Sequence, residues 1–345
     1  MIFVFRIGSL GDSLVSLPAL YQIQKEHSSE EIILITKKSQ KNHLNSWDIL
    51  KYTNIFKKVL WYDEKNIKSI FKMIFKIRQI KEKTTLYYLP PFRTSKQITR
   101  DYFMFKHLAS INTTIGFKNA QTTLARKNSK GILLKLESEY SRLLNIVLNH
   151  NKSFAPTLPL LKPKDIDYTT INKLTSSISS NSILIAIAHG TNMPSKKWEL
   201  DNFQKLITLL NSTLENLFFI VLGGKEDKLE GKYLEEKNHN CLNLSGETSI
   251  IESAALLEKC NLFIGNDTGT MHLASVMGTP TIGIFSARDN LGKWEPYGDN
   301  NTIIRKNIEC EGCMLIECIE KDNKCIKMID VNEVYQTSLE YLNDY

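Results

Sequence analysis

Short apolar runs alternate with amphipathic segments along the first half of the chain. Residues 2–7 form an apolar run that ends in a glycine turn, and a helical pattern of apolar positions covers residues 13–27. Further apolar runs at 32–36, 59–61 and 85–89 predict strands. Strands that alternate with helices in this way indicate βα units and therefore a parallel sheet.

One amphipathic segment, residues 66–83, combines apolar and basic positions at helical spacing. The apolar set near one face is Ile67, Ile70, Phe71, Ile74, Ile77 and Ile80, and the basic set is Lys68, Lys72, Lys76 and Lys83. This pattern predicts a helix that packs on its own sheet and keeps its lysines in water. A helix that lies on a membrane surface has the same pattern and stays as the alternative.

A polar, proline-bearing stretch at residues 155–167 interrupts this alternation and predicts a domain boundary. The βα pattern then restarts. The predicted strands are 183–188, 217–222, 262–264 and 281–285, and the predicted helices are 200–210, 229–237, 251–259 and 271–277. We predict an α/β protein of two Rossmann-like domains, residues 1–160 and 168–330, with a helix in residues 331–345 that packs back toward the N-terminal domain. Ligands of such sheets bind where the strands end.

Length and composition are those of a folded, enzyme-sized protein. The chain has 345 residues, of which 42% are hydrophobic and 23% charged, so a disordered, collagenous or coiled-coil protein is excluded. No apolar stretch reaches the roughly 18 residues of a membrane span, and the N-terminus lacks the layout of a signal peptide. These features predict a cytoplasmic protein.

The charge is unevenly distributed. The formal net charge is +7, but residues 57–135 contain 18 Lys or Arg and only four acids. A nucleic acid, an anionic membrane surface or a phosphorylated substrate would each suit this segment, and so would plain solvation of helix faces. No zinc-finger spacing, basic zipper or aromatic RNA-binding signature is present, so we expect no nucleic-acid partner.

The first candidate for chemistry is the turn after residues 2–7, which contains Gly8, Gly11 and Asp12. It lacks the three glycines of a dinucleotide fingerprint and the Gly-Lys-Ser/Thr of a phosphate-binding loop. Asp12 at the start of a helix has two possible roles. It caps the helix by accepting from free backbone amides, or it acts as a general base.

Two loops of the second half are candidates for binding a phosphorylated ligand. His189, Lys196 and Lys197 follow the predicted strand 183–188, and lysines in a βα loop suit a diphosphate. Small polar residues between the strand at 262–264 and the helix at 271–277 place backbone amides at a helix start. Such amides and the helix dipole form an anion site.

These segments together resemble glycosyltransferase family 9, the heptosyltransferases of bacterial lipopolysaccharide core assembly and their relatives. The motifs are Ser9-Leu10-Gly11-Asp12, Lys196-Lys197-Trp198, Gly223-Gly224 with acids following, residues 265–274 around Asn266-Asp267-Thr268-Gly269, and Gly278-Thr279-Pro280. The resemblance implies a GT-B fold of two facing Rossmann-like domains with an interdomain cleft. The first would hold the acceptor and the second the nucleotide sugar.

The resemblance also implies roles for individual residues. Asp12 would deprotonate the acceptor hydroxyl, Lys196 would neutralise the donor diphosphate, and Asp267 would contact the transferred sugar. The donor-binding set would be Gly11, His189, Lys196, Gly223, Glu226, Asp227, Asp267, Thr268, Gly269, Thr270 and His272. Either Glu226 or Asp227 would bind a ribose hydroxyl. The implied reaction is an inverting transfer without a catalytic metal or other cofactor.

The substrates follow from the resemblance less directly. ADP-heptose is the default donor, but residues 190–195 and 286–289 depart from the family pattern and leave another nucleotide sugar open. The expected acceptor is a glycan or lipid core, which can be phosphorylated, at the inner face of the inner membrane. The alternatives are a nucleotide-sugar epimerase and, outside enzymes, a nucleotide-binding or nucleic-acid-binding protein.

Four of the six cysteines are clustered, at Cys310, Cys313, Cys318 and Cys325. Four thiolates can bind zinc or iron, and a Cys-x-x-Cys pair is a good half-site, although the second pair is spaced more widely than in a zinc ribbon. The sequence leaves a structural metal and free or oxidised thiols as alternatives.

Overall fold

The computed structural model describes residues 1–38, 44–91, 93–118, 120, 127–129, 131–148, 156–161, 168–176 and 178–343. The chain divides into two compact units. Unit 1 comprises residues 1–124 and 137–157, and unit 2 comprises residues 125–136 and 158–345. The predicted boundary at 155–167 lies partly outside the described residues.

Unit 1 is built on a parallel sheet of five strands in the order β3-β2-β1-β4-β5. The strands are β1 Ile2–Phe5, β2 Ile32–Thr36, β3 Lys58–Trp61, β4 Thr85–Tyr88 and β5 Thr113–Ile115. The helices are α1 Leu10–Leu14, α2 Leu17–Glu26, α3 Ser46–Leu50, α4 Ile67–Arg78, α5 Ser95–Phe103 and α6 Glu139–Leu148. Phe3 and Val4 of the central strand point to opposite faces and are both fully buried, because helices cover both faces of a parallel sheet.

Helix α4 packs on this sheet, as predicted, and Ile70, Ile74, Ile77 and Ile80 of the predicted apolar set contact the core. Met73, Ile74 and Ile77 are buried in the core of unit 1. Ile67 and Phe71, which the pattern assigned to the same face, are exposed. A helix of isoleucines and phenylalanines has more apolar surface than one packed face covers, so periodicity alone did not show that Ile67 and Phe71 stay exposed.

Unit 2 contains a parallel sheet of six strands in the order β11-β10-β9-β6-β7-β8. The strands are β6 Ile183–Ala188, β7 Leu217–Val221, β8 Cys241–Asn243, β9 Leu262–Asn266, β10 Thr281–Phe285 and β11 Asn301–Arg305. The helices are α7 Tyr168–Leu174, α8 Leu200–Asn211, α9 Lys228–Lys237, α10 Ile250–Glu258, α11 Gly269–Met277, α12 Lys324–Lys327 and α13 Val331–Leu342. The predicted α/β class with two Rossmann-like sheets is therefore confirmed.

The C-terminal helix α13 belongs to unit 2, which differs from the expectation that it packs toward the N-terminal domain. Its buried residues Val334 and Leu342 join the apolar core under the second sheet, and the helix packs against α8. The segment 127–136 also groups with unit 2, where the N–H of Leu136 donates to the carbonyl of Leu291. Apolar packing in the core of unit 2 thus places α13, and a backbone hydrogen bond joins the segment to the same unit.

No helix in the described part of the chain combines the length and the apolar character needed to cross a membrane.

Candidate functional site

The candidate site residues of unit 2 follow neighbouring strands of one sheet. Strands β10, β9, β6 and β7 lie side by side and parallel, so the loops after them meet at one edge. Residues 189–198, 223–227 and 267–272 occupy these loops. The sheet thus brings together the predicted donor-binding residues that lie after β6, β7 and β9.

Lys196 and Asp267 form a buried ion pair at this edge. Lys196 Nζ donates to Asp267 Oδ2 at 2.6 Å, and the two side chains are 11% and 6% exposed. An ammonium group has three N–H bonds, and Asp267 accepts the one that is assigned among the described residues. Lys196 therefore retains donors for an anionic ligand while its charge is held in place.

Asn266 fixes the loop that carries Lys196. Its Oδ1 accepts from the backbone N–H of Trp198 at 3.1 Å, and its Nδ2 donates to the carbonyl of His189 at 2.6 Å. The indole N–H of Trp198 donates to the carbonyl of Ile329 at 3.0 Å. Asn266 and Trp198 are fully buried, so these bonds set the backbone beside Lys196 in a rigid position.

The first turn of α11 is arranged for an anion. Thr268 is the N-cap residue, yet its side chain makes no capping hydrogen bond, and its buried Oγ1 has no hydrogen-bond partner among the described residues. Gly269 and Thr270 follow at partly exposed positions. Unfilled amides at a helix N-terminus attract negative charge. His272 lies buried on the same helix, with its ring 6.3 Å from that of Trp294.

The structure separates the two acids that follow Gly223 and Gly224. Asp227 Oδ2 accepts from the backbone N–H of Gly224 at 2.8 Å, whereas Glu226 is exposed. A Cβ on Gly190 would lie 2.0 Å from Asp227 Oδ1, so the loop after β6 passes directly over this carboxylate. Asp227, unlike the exposed Glu226, is therefore held against the loop after β6.

His189 and its acidic neighbours have shifted pKa values. Burial lowers the pKa of His189 and outweighs the opposing attraction of Asp227 and Glu230. His189 Nδ1 lies 3.2 Å from Glu230 Oε2. Burial likewise raises the pKa of Asp227 against the hydrogen bond from Gly224. The pKa of Glu230 is lowered, because the hydrogen bond and charge of Lys197 outweigh its partial burial.

In unit 1, Asp12 lies in the first turn of α1. Its Oδ2 accepts from the backbone N–H of Ser9 at 2.8 Å and from the Ser9 hydroxyl at 2.7 Å. Gly8 has φ +138°, and a Cβ there would lie 2.6 Å from Asp12 Cβ. Arg6 below it is fully buried and donates to the backbone carbonyl of Asp12. The capping interpretation of Asp12 therefore has direct support in its contacts.

Sequence reasoning missed a buried charged cluster at the carboxyl edge of the first sheet. Asp101 is fully buried and accepts from the Tyr88 hydroxyl at 2.7 Å and from Arg100 at 2.8 Å. Arg93, 4% exposed, lies 3.4 Å from Asp101 and 3.2 Å from Glu64. No motif marks these residues. Asp101 on a helix and Arg93 after a strand become partners only through the sheet.

The four clustered cysteines line one pocket together with Ser195, Arg288, Lys321 and Lys324. All four thiols are free. Within the described residues, no group of three or more Cys, His, Asp or Glu side chains is arranged to hold a metal ion. The thiol cluster predicted from the sequence is real, but the arrangement does not fit the zinc or iron that the spacing also allowed.

Residues 314–316, between the second and third of these cysteines, are hydrogen-bonded to the loops after β6 and β10. Ser195 Oγ donates to the carbonyl of Leu315 at 2.7 Å, and the Ser195 N–H donates to the carbonyl of Ile316 at 3.0 Å. Arg288, after β10, donates to the carbonyls of Leu315 and Met314 at 2.6 and 2.8 Å. The segment therefore supports the residue before Lys196. Neither Ser195 nor Arg288 was singled out by the sequence.

The chain is similar to known glycosyltransferases in sequence and in structure. The profile of glycosyltransferase family 9 (heptosyltransferase) matches residues 138–324, which contain the whole unit 2 site. Lipooligosaccharide heptosyltransferase 2 of Campylobacter jejuni serotype O:2 is 26% identical over 153 residues, 43% of this chain and 47% of that protein. The matched part thus spans about half the length of this curated relative.

Two solved structures resemble the chain over nearly its full length. The E. coli ADP-heptose lipopolysaccharide heptosyltransferase II has a TM-score of 0.68 at 16% identity and covers 100% of this chain and 99% of its own. E. coli heptosyltransferase WaaC with ADP-2-deoxy-2-fluoro heptose has a TM-score of 0.64 at 16% identity and covers 99% of both chains. At this identity the likeness shows the fold, which is the GT-B type.

Proposed function

We propose a function on the premise that this chain belongs to glycosyltransferase family 9 (heptosyltransferase): it transfers a sugar from a nucleotide-sugar donor to an acceptor hydroxyl. Unit 2 would bind the donor and unit 1 the acceptor. Heptose from ADP-heptose is the proposed sugar, because one of the two E. coli proteins with the same fold is an ADP-heptose heptosyltransferase and the other is in complex with ADP-2-deoxy-2-fluoro heptose.

The observation that carries this proposal is the position of two groups, the buried ammonium of Lys196 and the uncapped N-terminus of α11. They follow the adjacent parallel strands β6 and β9 of one sheet. Both offer positive electrostatic potential and N–H donors to the same kind of ligand. A diphosphate uses both, because its charge is spread over several oxygens.

The proposed reaction is a single displacement at the anomeric carbon. Asp12 accepts the proton of the acceptor hydroxyl as its oxygen forms the new bond to that carbon. The bond from the carbon to the diphosphate oxygen breaks, and the nucleoside diphosphate leaves with the electron pair. Lys196 and α11 stabilise the departing charge, so no acid needs to protonate it. Attack opposite the leaving group inverts the configuration.

The other residues of the site have positioning roles in this proposal. Asp267 holds Lys196 through their 2.6 Å contact and, in this proposal, also accepts from a hydroxyl of the transferred sugar. Asp227, held by Gly224 near Gly190, is the candidate for the ribose hydroxyls. Thr268 Oγ1 is a further donor that is unused within the described residues. His189 follows β6 and His272 lies in α11, and both side chains are buried.

The proposed acceptor is a lipopolysaccharide or other cell-surface glycan core. Unit 1 contains most of the basic segment 57–135, of which Arg126 and Lys130 lie outside the described residues. A phosphorylated lipid core at the inner face of the inner membrane suits this charge. An epimerase would act on the donor alone, without an acceptor, and a binding protein would release no nucleotide product.

Calorimetry with ADP, ADP-heptose and UDP-, GDP- and CMP-sugars, without added metal, tests the donor. Selective binding of ADP and ADP-heptose supports heptosyl transfer. Preference for another nucleotide would keep the transferase and change its sugar. Release of free nucleoside diphosphate only in the presence of a heptose-free lipid-core acceptor then separates a transferase from an epimerase. Failure to bind any nucleotide would overturn the proposal.

A further inference from the structure

Helix α4 presents a second apolar face to solvent. Ile67, Phe71 and Phe75 are 68%, 60% and 63% exposed, although large apolar side chains are usually buried. They are spaced four residues apart, which on a helix forms one continuous stripe about 12 Å long. Met73, Ile74 and Ile77, on the adjacent face of the same helix, are already buried in the core of unit 1. The stripe is therefore not a misplaced core face.

Basic residues line this stripe. Lys68, Lys72 and Lys76 each follow a stripe residue by one position and form a parallel exposed row. Arg78 lies near the angular position of Ile67 at the end of the helix, because eleven residues complete about three turns. Helix α4 contains no acid, and none of these four cations forms an ion pair with another described residue.

We propose that the exposed face of α4 docks on an anionic lipid bilayer. Exposed aromatic rings flanked by lysines on a single helix are the chemistry of an interfacial helix, whose rings enter the acyl boundary while its lysines contact lipid phosphates. The charge complementarity favours a bilayer over a neutral protein groove. Because the helix is already folded and packed in unit 1, docking orders no new backbone.

Vesicle co-sedimentation of the full chain tests this proposal without any sugar donor. We expect binding to vesicles of equal parts phosphatidylglycerol and phosphatidylcholine, weak binding to phosphatidylcholine alone, and loss of binding in high salt. The variant Phe71→Ser/Phe75→Ser should lower the partition coefficient at least about tenfold. The variant Lys68→Gln/Lys72→Gln/Lys76→Gln should lower it on the order of 100-fold, at about fivefold for each lysine.

Matched controls lie in unit 2. Leu229→Ser removes an 83% exposed apolar side chain, and Lys205→Gln/Lys232→Gln/Lys237→Gln removes the same charge from exposed positions. Both should bind vesicles as the unaltered chain does.

If the α4 variants bind as tightly as these controls, or if the unaltered chain binds neither vesicle, the proposal is wrong. If the unaltered chain binds neither vesicle but sediments as a dimer, and the variant Phe71→Ser/Phe75→Ser sediments as a monomer, the stripe is the contact with a second copy of the chain. Nucleotide binding, measured separately, is independent of either result.

Discussion

Lys196 Nζ and Asp267 Oδ2 lie 2.6 Å apart in a nearly water-free position, although 71 residues separate them in sequence. Two parallel strands, β6 and β9, are neighbours in the sheet and deliver both side chains to the same edge. A buried pair of this kind fixes a positive charge where a diphosphate is proposed to leave. Removal of either partner leaves the other uncompensated.

Substitution of Lys196 should affect both binding and stability. We expect Lys196→Met to weaken binding of the nucleoside diphosphate about 10- to 100-fold and to destabilise the protein by about 3 kcal/mol, because Asp267 becomes an unpaired buried charge. The double variant Lys196→Met/Asp267→Asn should recover much of the stability but not the affinity. Calorimetry and urea unfolding measure the two effects.

Lys197→Gln is the matched control for Lys196→Met, since Lys197 pairs with Glu230 instead. Equal affinities for the unaltered and Lys196→Met proteins would remove Lys196 from the donor site.

Substitution of Asp12 should separate catalysis from helix capping. Asp12→Asn is expected to lower the transfer rate about 10²- to 10⁴-fold, because an amide cannot accept the acceptor proton. Donor affinity should stay unchanged. Ser9→Ala removes the hydroxyl that donates to Asp12 but keeps the carboxylate, so it reports the loss of that contact alone, at about 1 kcal/mol. A transfer rate that falls equally in both variants would mean that Asp12 acts through the helix and not on the substrate.

The buried histidine should make the protein less stable in mild acid. Burial lowers the pKa of His189 from its ordinary value of 6.5, so below that pH the unfolded chain binds a proton that the folded protein does not. The free energy of unfolding should therefore fall as the pH drops below about 6.5. His189→Gln cannot take up this proton and should flatten that part of the curve. An unchanged slope in the variant would show that another group is responsible.

Asp227 should change the free energy of unfolding with pH in the opposite direction to His189. Burial raises the pKa of Asp227 above its ordinary value of 3.8, so the folded protein binds the carboxyl proton more tightly than the unfolded chain does. The free energy of unfolding should therefore fall as the pH rises from about 3.8 through the pKa of the folded protein. Asp227→Asn should raise the melting temperature at neutral pH and weaken nucleotide binding. Glu226→Gln, at an exposed position, should change neither. Thermal unfolding across pH and calorimetry test both statements. If Glu226→Gln weakens binding and Asp227→Asn does not, the two assignments are reversed.

The six thiols should divide into two classes. Burial raises the pKa of Cys241 and Cys260 to about 12, so these thiols should react with a disulfide reagent only after unfolding. Cys313 is exposed and should react first in the native protein. Because the cluster has no arrangement for a metal within the described residues, a chelator should leave the native reaction rates unchanged. Stoichiometric zinc or iron by elemental analysis, together with slow thiols that a chelator accelerates, would contradict this.

Local patterns along the chain were enough to predict the parallel α/β architecture and most of the residue types at the candidate site. Strands β6 and β10 were predicted to the residue, because continuous apolar runs bounded by polar turns are a local signal. The Asn266-Asp267-Thr268-Gly269 segment and Lys196 were identified as donor candidates for the same reason. Each carries its chemistry within a few residues.

Which of these residues contact one another depends on how the strands and helices pack. The pairing of Lys196 with Asp267, the approach of Gly190 to Asp227, and the Asp101 cluster depend on strand order, which no local pattern encodes. The placement of α13 in unit 2 and the exposure of Phe71 and Phe75 depend on which apolar face finds a partner. Periodicity shows that a face is apolar. Whether it is buried is determined by long-range packing, and for α4 that packing left one apolar face in water.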